Sequence, residues 1–169
     1  MSWIAFIQGM YFLGGVKMSD TEYMKLAIEL AKKGAGYVNP NPMVGAVIVK
    51  DNRIIGQGYH ETFGGMHAER NALKNCRESP IGSTLYVTLE PCQMCAGAIV
   101  QSRIPRVVVG CMNPKAGCTG SILNLLDIQA FNHQADLTTG VLEEECSQLM
   151  KQFFRELREA RKMKKKAEA

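Results

Sequence analysis

Thr84-Leu-Tyr-Val-Thr-Leu-Glu-Pro-Cys-Gln-Met-Cys-Ala-Gly-Ala-Ile-Val-Gln101, followed after four intervening residues by Arg106-Val-Val-Val-Gly110, decides how this chain is built. Thr84 to Leu89 is rich in β-branched and aromatic residues and reads as a strand. Pro91 can occupy the first turn of a helix, where its missing N–H costs nothing, and that helix is expected to run to about Gln101. The apolar run at 106–110 is another strand. Upstream, Val44-Gly-Ala-Val-Ile-Val49 is a continuous apolar run of the buried-strand kind. Asp51-Asn52 turns the chain into a second strand over 53–59, so the pair reads as a hairpin. Residues 67–76 suit a helix. Tyr23, Met24, Ala27, Ile28, Leu30 and Ala31 fall at helical spacing, with Gly34 as a stop and Ser19 and Glu22 as a capping box. Downstream come a short helix near 121–127 and a weaker strand near 134–139. A last helix from about Val141 carries Leu142, Cys146, Leu149, Met150, Phe153 and Leu157 on one face. Helices alternating with strands after an initial hairpin imply an α/β fold: a three-layer α/β/α sandwich with a mixed sheet of about five strands.

A chain of 169 residues fits one domain with a real core. With 46% hydrophobic and 21% charged residues it fits neither disorder nor collagen nor coiled coil. The net charge of +4 is unevenly placed. Residues 1–150 hold 12 Lys and Arg against 13 Asp and Glu, whereas residues 151–169 hold 8 against 3. Such a basic end is either a solvated helix terminus or a nucleic-acid contact. The first 16 residues are uncharged and include Trp3, Ile4, Phe6 and Phe12, but the run is broken by Gln8, Gly14 and Gly15. It is shorter than the ~20 apolar residues of a membrane span and has no basic region of the signal-peptide kind. Residues 1–17 are therefore expected to be an N-terminal extension, 18–160 the domain and 161–169 a basic tail. No membrane association is expected, and the six cysteines are expected to be reduced in a cytoplasmic protein.

The chemistry is concentrated in His67-Ala-Glu69 and Pro91-Cys92-Gln-Met-Cys95. A Cys-x-x-Cys alone has several readings, a redox pair among them. One imidazole and two thiolates together make three ligands for Zn2+, with the fourth position open to water, as in a catalytic site. His67 and Cys92 each follow a loop and open an expected helix, whose positive end faces the metal. Glu69, two residues beyond the histidine, can sit beside the metal without ligating it and move protons. Cys76, Cys111, Cys118 and Cys146 read as small core or loop residues.

H-x-E…P-C-x-x-C is the pattern of the zinc nucleobase deaminases, and over residues 20–161 the chain resembles the cytidine deaminase superfamily. Its C-terminal half resembles the bacterial tRNA-specific adenosine deaminases in Thr88-Leu-Glu-Pro-Cys-Gln-Met-Cys-Ala-Gly-Ala-Ile99, Ser102-Arg-Ile-Pro-Arg-Val107, Pro114-Lys-Ala-Gly-Cys-Thr-Gly-Ser121, Phe131-Asn-His133 and Gly140-Val-Leu-Glu-Glu-Glu-Cys146. Its N-terminal half is similar to the riboflavin-pathway pyrimidine deaminases in Asn39-Pro-Asn-Pro-Met-Val-Gly-Ala-Val-Ile-Val49 and Gly58-Tyr-His-Glu-Thr-Phe-Gly-Gly-Met-His-Ala-Glu69. Cys92-Gln-Met-Cys95 lacks the longer insert of the pyrimidine enzymes. The tRNA enzymes carry an Asn before their His-Ala-Glu, absent here, and an Asp where this chain has Asn113.

The first resemblance implies a homodimeric enzyme that converts adenosine to inosine at the wobble position (34) of a tRNA anticodon loop, with one Zn2+ per subunit and Glu69 catalytic. It also implies that Asn113 lies near a ribose hydroxyl. The second implies deamination of a diaminohydroxypyrimidine ribosyl phosphate. A different class, a non-catalytic RNA-binding zinc protein, has no use for Glu69. Asn41, His60, Asn113 and Asn132 are candidate substrate contacts. Phe154 and Arg155 open a stretch in which aromatic and basic groups share one helix, a mixture that suits a single-stranded RNA loop.

Overall fold

The computed structural model describes residues 17–167; all of the expected N-terminal extension except Lys17 lies outside the described residues, as do the last two residues of the tail. Ser19 caps helix α1 (Asp20–Lys32), accepting from the Glu22 N–H while the Glu22 carboxylate accepts from the Ser19 N–H at 2.8 Å, so the capping box forms. Strands β1 (Gly45–Lys50) and β2 (Arg53–Tyr59) form the expected hairpin. Asp51 and Asn52 both take positive φ, 50° and 58°, as the two-residue turn that matches strand twist requires. Helix α2 (Ala68–Lys74), strand β3 (Thr84–Leu89), helix α3 (Gln93–Gln101) and strand β4 (Arg106–Cys111) follow. A single 3-10 turn (Leu125–Asp127), strand β5 (Asp136–Thr139) and helix α4 (Glu143–Ala167) complete the order.

The five strands lie in the order β2-β1-β3-β4-β5. β1 runs antiparallel to both neighbours, and β3, β4 and β5 are parallel. Alternation along the strands feeds two cores. Val47, Val49, Tyr86 and Val108 face α1 and α4, while Ala46, Ile48, Leu85, Val87, Val107 and Val109 face α2 and α3. The result is the three-layer α/β/α sandwich that the alternation implied. α1 lies so close to the sheet that a Cβ on Gly45 would collide with the backbone of Ala27.

Two elements differ from the sequence expectation. Helix α4 begins at Glu143, not 141, because Gly140 and Leu142 take positive φ, 82° and 54°, which a right-handed helix cannot accommodate. The short helix expected from residue 121 is reduced to Leu125–Asp127, because Ser121 is drawn to the Glu90 carboxylate. The basic tail continues α4 as helix to Ala167, so the aromatic and basic groups do share one helix. No helix among the described residues is long and apolar enough to cross a membrane.

Candidate metal centre and substrate pocket

The carboxyl ends of β2, β3 and β4 and the segment leading into β1 converge on one edge of the sheet, the edge where parallel α/β sheets hold their ligands. A cavity of about 180 Å³ opens there, lined among others by Asn41, His60, His67, Glu69, Glu90, Cys92 and Asn113. His67 and Cys92 occupy the N-cap positions of α2 and α3, and neither side chain caps its own helix. Both are left free for another partner. His67 Nδ1 lies 3.6 Å from Cys92 Sγ and 3.5 Å from Cys95 Sγ. All three donor atoms lie within 4.8 Å of one another. A tetrahedral centre with metal–sulfur distances of about 2.3 Å and a metal–nitrogen distance of about 2.0 Å separates those atoms by about 3.5 Å. The residues present therefore fit zinc.

The electrostatics agree with the donor chemistry. The Cys92 thiol is pushed down to about 3, chiefly by the Cys95 thiol that hydrogen-bonds its sulfur, with His67 and the N–H groups of Cys95 and Met94 adding to this. The same contact pushes Cys95 up, and the Cys92 sulfur raises His67. Zinc binding here would require both sulfurs as thiolates and a neutral imidazole, and would displace the protons these groups hold. Glu69 is 3% exposed, and burial pushes its carboxyl above the ordinary range.

His60, itself buried, packs edge-on beside His67, with ring centroids 5.5 Å apart. Its Nδ1 lies 3.0 Å from the Met66 carbonyl, which can only accept, so in the neutral ring Nδ1 carries the hydrogen. Nε2 then accepts from Asn41 Nδ2 at 3.3 Å. Asn71, on α2, donates to the carbonyls of Tyr59 and Met66 at 2.8 and 3.2 Å and so pins both ends of the loop that carries His60.

Of the residues singled out in the sequence, Asn41, His60, Asn113, His67, Glu69 and Cys92 line the pocket, and the buried Cys95 completes the donor set. Asn132 is exposed and outside the pocket lining; its carbonyl accepts from Arg103 at 3.0 Å. Phe154 and Arg155 are exposed on α4, also outside that lining.

Sequence reasoning missed Asn71 and Glu90. Burial pushes the Glu90 carboxyl up, and hydrogen bonds from Ser121, Asn113 and Thr119 outweigh it, so Glu90 titrates below the ordinary range. Its only signal in the sequence is a carboxylate directly between an apolar strand and Pro91-Cys92.

Fold, donor set and buried carboxylate together define a zinc-dependent deaminase. Residues 17–111 match the family model of the cytidine and deoxycytidylate deaminase zinc-binding region, and the chain belongs to this family. It is 44% identical over 156 residues to the tRNA-specific adenosine deaminase of Bacillus subtilis, covering 87% of this chain and 96% of that protein. It is 42% identical over 147 residues to the diaminohydroxyphosphoribosylamino-pyrimidine deaminase of Buchnera aphidicola, covering 83% of this chain and 97% of that protein. Among solved structures, the Thermotoga maritima diaminohydroxyphosphoribosylaminopyrimidine deaminase/5-amino-6-(5-phosphoribosylamino)uracil reductase superposes with a TM-score of 0.69 at 46% identity. That match covers 80% of this chain and 40% of the two-activity protein. Both substrate branches are thus represented at similar identity. Deamination is common to them, which sets aside the reading as a non-catalytic zinc protein.

Proposed function

We propose that this protein deaminates adenosine to inosine at the wobble position of a tRNA anticodon loop. The observation that carries this reading is the seat of α4. Phe153, 5% exposed, packs with Ala31, Val38 and Met43, with Leu149 and Leu157 beside it. Val38 and Met43 bracket Asn41 and Pro42, which line the pocket. The exposed basic stretch of α4, with Arg155, Arg158, Arg161 and Lys162, therefore leaves from the helix that braces the pocket's rim. A cationic helix with Phe154 exposed beside a one-base pocket suits a phosphate-rich loop with one base turned out.

In this reading His67, Cys92 and Cys95 hold zinc and Glu69 is the proton carrier. Zinc there would supply a water acidified towards neutrality for attack at C6 of adenine. Glu69 would carry two protons in turn, one from the attacking water to the ring nitrogen and then one from the newly added hydroxyl to the amino group, which leaves as ammonia; its burial favours the protonated form that donates each. Asn41 and Asn113 offer hydrogen bonds to the base and ribose, while His60, both of whose ring nitrogens are partnered, orients Asn41. Leu89 and Val44 supply apolar surface around the base. The exposed Met94 and the open position at Gly97 on α3, with exposed Ile122 and Leu123, support pairing into a homodimer. The free cysteines suit a cytoplasmic enzyme.

The half-buried Asn41–His60 pair favours a second reading, because it belongs to the stretches that resemble the pyrimidine deaminases. Ammonia release from an anticodon stem-loop and from the diaminohydroxypyrimidine ribosyl phosphate, measured side by side, tests the two. We expect the stem-loop to react; reaction of the pyrimidine alone would sink the tRNA reading.

A further inference from the structure

We propose that Glu90 is a positioning residue of this deaminase: its carboxylate fixes the pocket wall that carries Asn113 and Ala116 relative to Cys92 and Glu69. The inference rests on the deaminase reading of the site and not on which base is deaminated.

Glu90 is 2% exposed and stands at the end of β3, two residues before Cys92. No cation partners it among the described ion pairs. Four donors from one segment converge on it instead. Oε2 accepts from the Asn113 N–H at 2.8 Å and from the Ser121 hydroxyl; Oε1 accepts from the N–H groups of Thr119 and Ser121 at 3.1 and 2.9 Å. The segment between is folded tightly over the carboxylate, with Asn113 O accepting from the Gly117 N–H at 2.7 Å. A Cβ on Gly117 would overlap the Glu90 carboxylate, so only glycine lets the loop close this far. A further bond, from the Cys118 N–H to the Pro91 carbonyl at 2.8 Å, ties the same loop to the residue adjoining Cys92. Asn113 and Ala116 thus reach the pocket as parts of a loop that the Glu90 carboxylate holds at four points and the Pro91 carbonyl at a fifth.

Four donors and two acceptor oxygens make the match specific to a carboxylate. In Glu90→Gln one oxygen becomes an NH2 donor. At the Oε1 position that group would face two backbone N–H groups. At Oε2 the Ser121 hydroxyl can rotate and accept, leaving only the Asn113 N–H without its partner. The amide therefore settles at Oε2, and Asn113 is the residue released. Gly117→Ala disturbs the same wall from the other side with Glu90 intact.

The test measures zinc content, KM and kcat for both variants on whichever substrate the wild type deaminates, with hydrogen exchange of the Asn113, Thr119 and Ser121 amides. Both variants are expected to keep one zinc per chain and to raise KM about tenfold with kcat within about threefold, the pattern of lost binding common to ground and transition state. Asn113 exchange should rise most in Glu90→Gln. An unchanged KM in both variants overturns the proposal, as does activity falling in step with zinc. The exchange measurement needs no turnover: if neither substrate releases ammonia, wild-type protection of Asn113 in Glu90→Gln still overturns it. Should Glu90→Gln fail to fold, Gly117→Ala decides alone.

Discussion

Glu69 is held beside three side chains that could hold a metal ion, and nearly all its surface is withdrawn from water. A carboxylate in that position is costly unless it has work to do, since burial disfavours its charged form. Glu69→Gln keeps the volume and removes the proton acceptor while leaving His67, Cys92 and Cys95 untouched. The expected outcome is wild-type zinc content by elemental analysis and a loss of turnover of about 10²–10⁴-fold, the range of general acid–base contributions. At this scale the sequence was most informative where chemistry depends on residue type. An imidazole, two thiols and a carboxylate at fixed short spacings have few joint uses, so the donor set could be read before any fold. Asn71 and Glu90 could not, because their partners, the Ser121 hydroxyl apart, are main-chain groups, which every residue carries whatever its side chain. Asn132 illustrates the converse: a familiar local pattern, Phe131-Asn-His133, lies outside the pocket lining.

Elements are joined at the other end of the sheet by a polar clamp. The Arg106 guanidinium, on β4, donates to both oxygens of Asp20 at 3.0 and 2.6 Å and reaches Thr138 on β5 at 3.3 Å, while the Tyr86 hydroxyl donates to Asp20 at 2.8 Å. Arg106 pulls the Asp20 carboxyl below its ordinary 3.8; burial opposes this and Tyr86 assists. A depressed native pKa contributes stability that is complete above the unfolded value and lost as pH falls through the native one. Asp20→Asn is therefore expected to lower Tm by about 2–4 °C at pH 7, corresponding to about 1 kcal/mol for a pair that is 35% exposed on each side. The gap should close as the pH falls below 4, measured by thermal melts across pH. A constant gap would show that the Asp20 charge is not what stabilises the clamp. Phe153→Ala acts on another junction. It should cost about 3–5 kcal/mol by cavity formation and raise KM as well, because the loop from Val38 to Met43 loses its brace. The hairpin was legible because Asp51-Asn52 tolerates the left-handed turn. The start of α4 was not, since nothing in the local pattern shows that Leu142 takes a positive φ.

Across the whole molecule the charge is segregated. Residues 1–150 are within one charge of neutrality, at 12 basic against 13 acidic, and the excess sits on 151–169, at 8 against 3. A solvated terminus and an RNA footprint have the same composition, so the sequence alone left the two open. Phe153 ties the basic helix to the pocket's rim, so an RNA entering the pocket would meet its cations, and salt dependence separates the two readings. If these cations meet RNA phosphates, binding must release counterions and weaken with salt, by a slope of about 0.7 per phosphate neutralised on a single strand. Replacing Arg158, Arg161, Lys162 and Lys165 with Gln removes four charges from exposed positions beyond the buried Phe153, so the fold and zinc site should survive. Anticodon stem-loop affinity measured from 50 to 300 mM salt should then weaken at low salt and converge with wild type at high salt. The slope should fall by about 1.4 for every two phosphates no longer contacted. Deamination at saturating RNA should change little, because none of the four lines the pocket. An unchanged slope would return the basic helix to solvent and leave the pocket alone to choose the substrate.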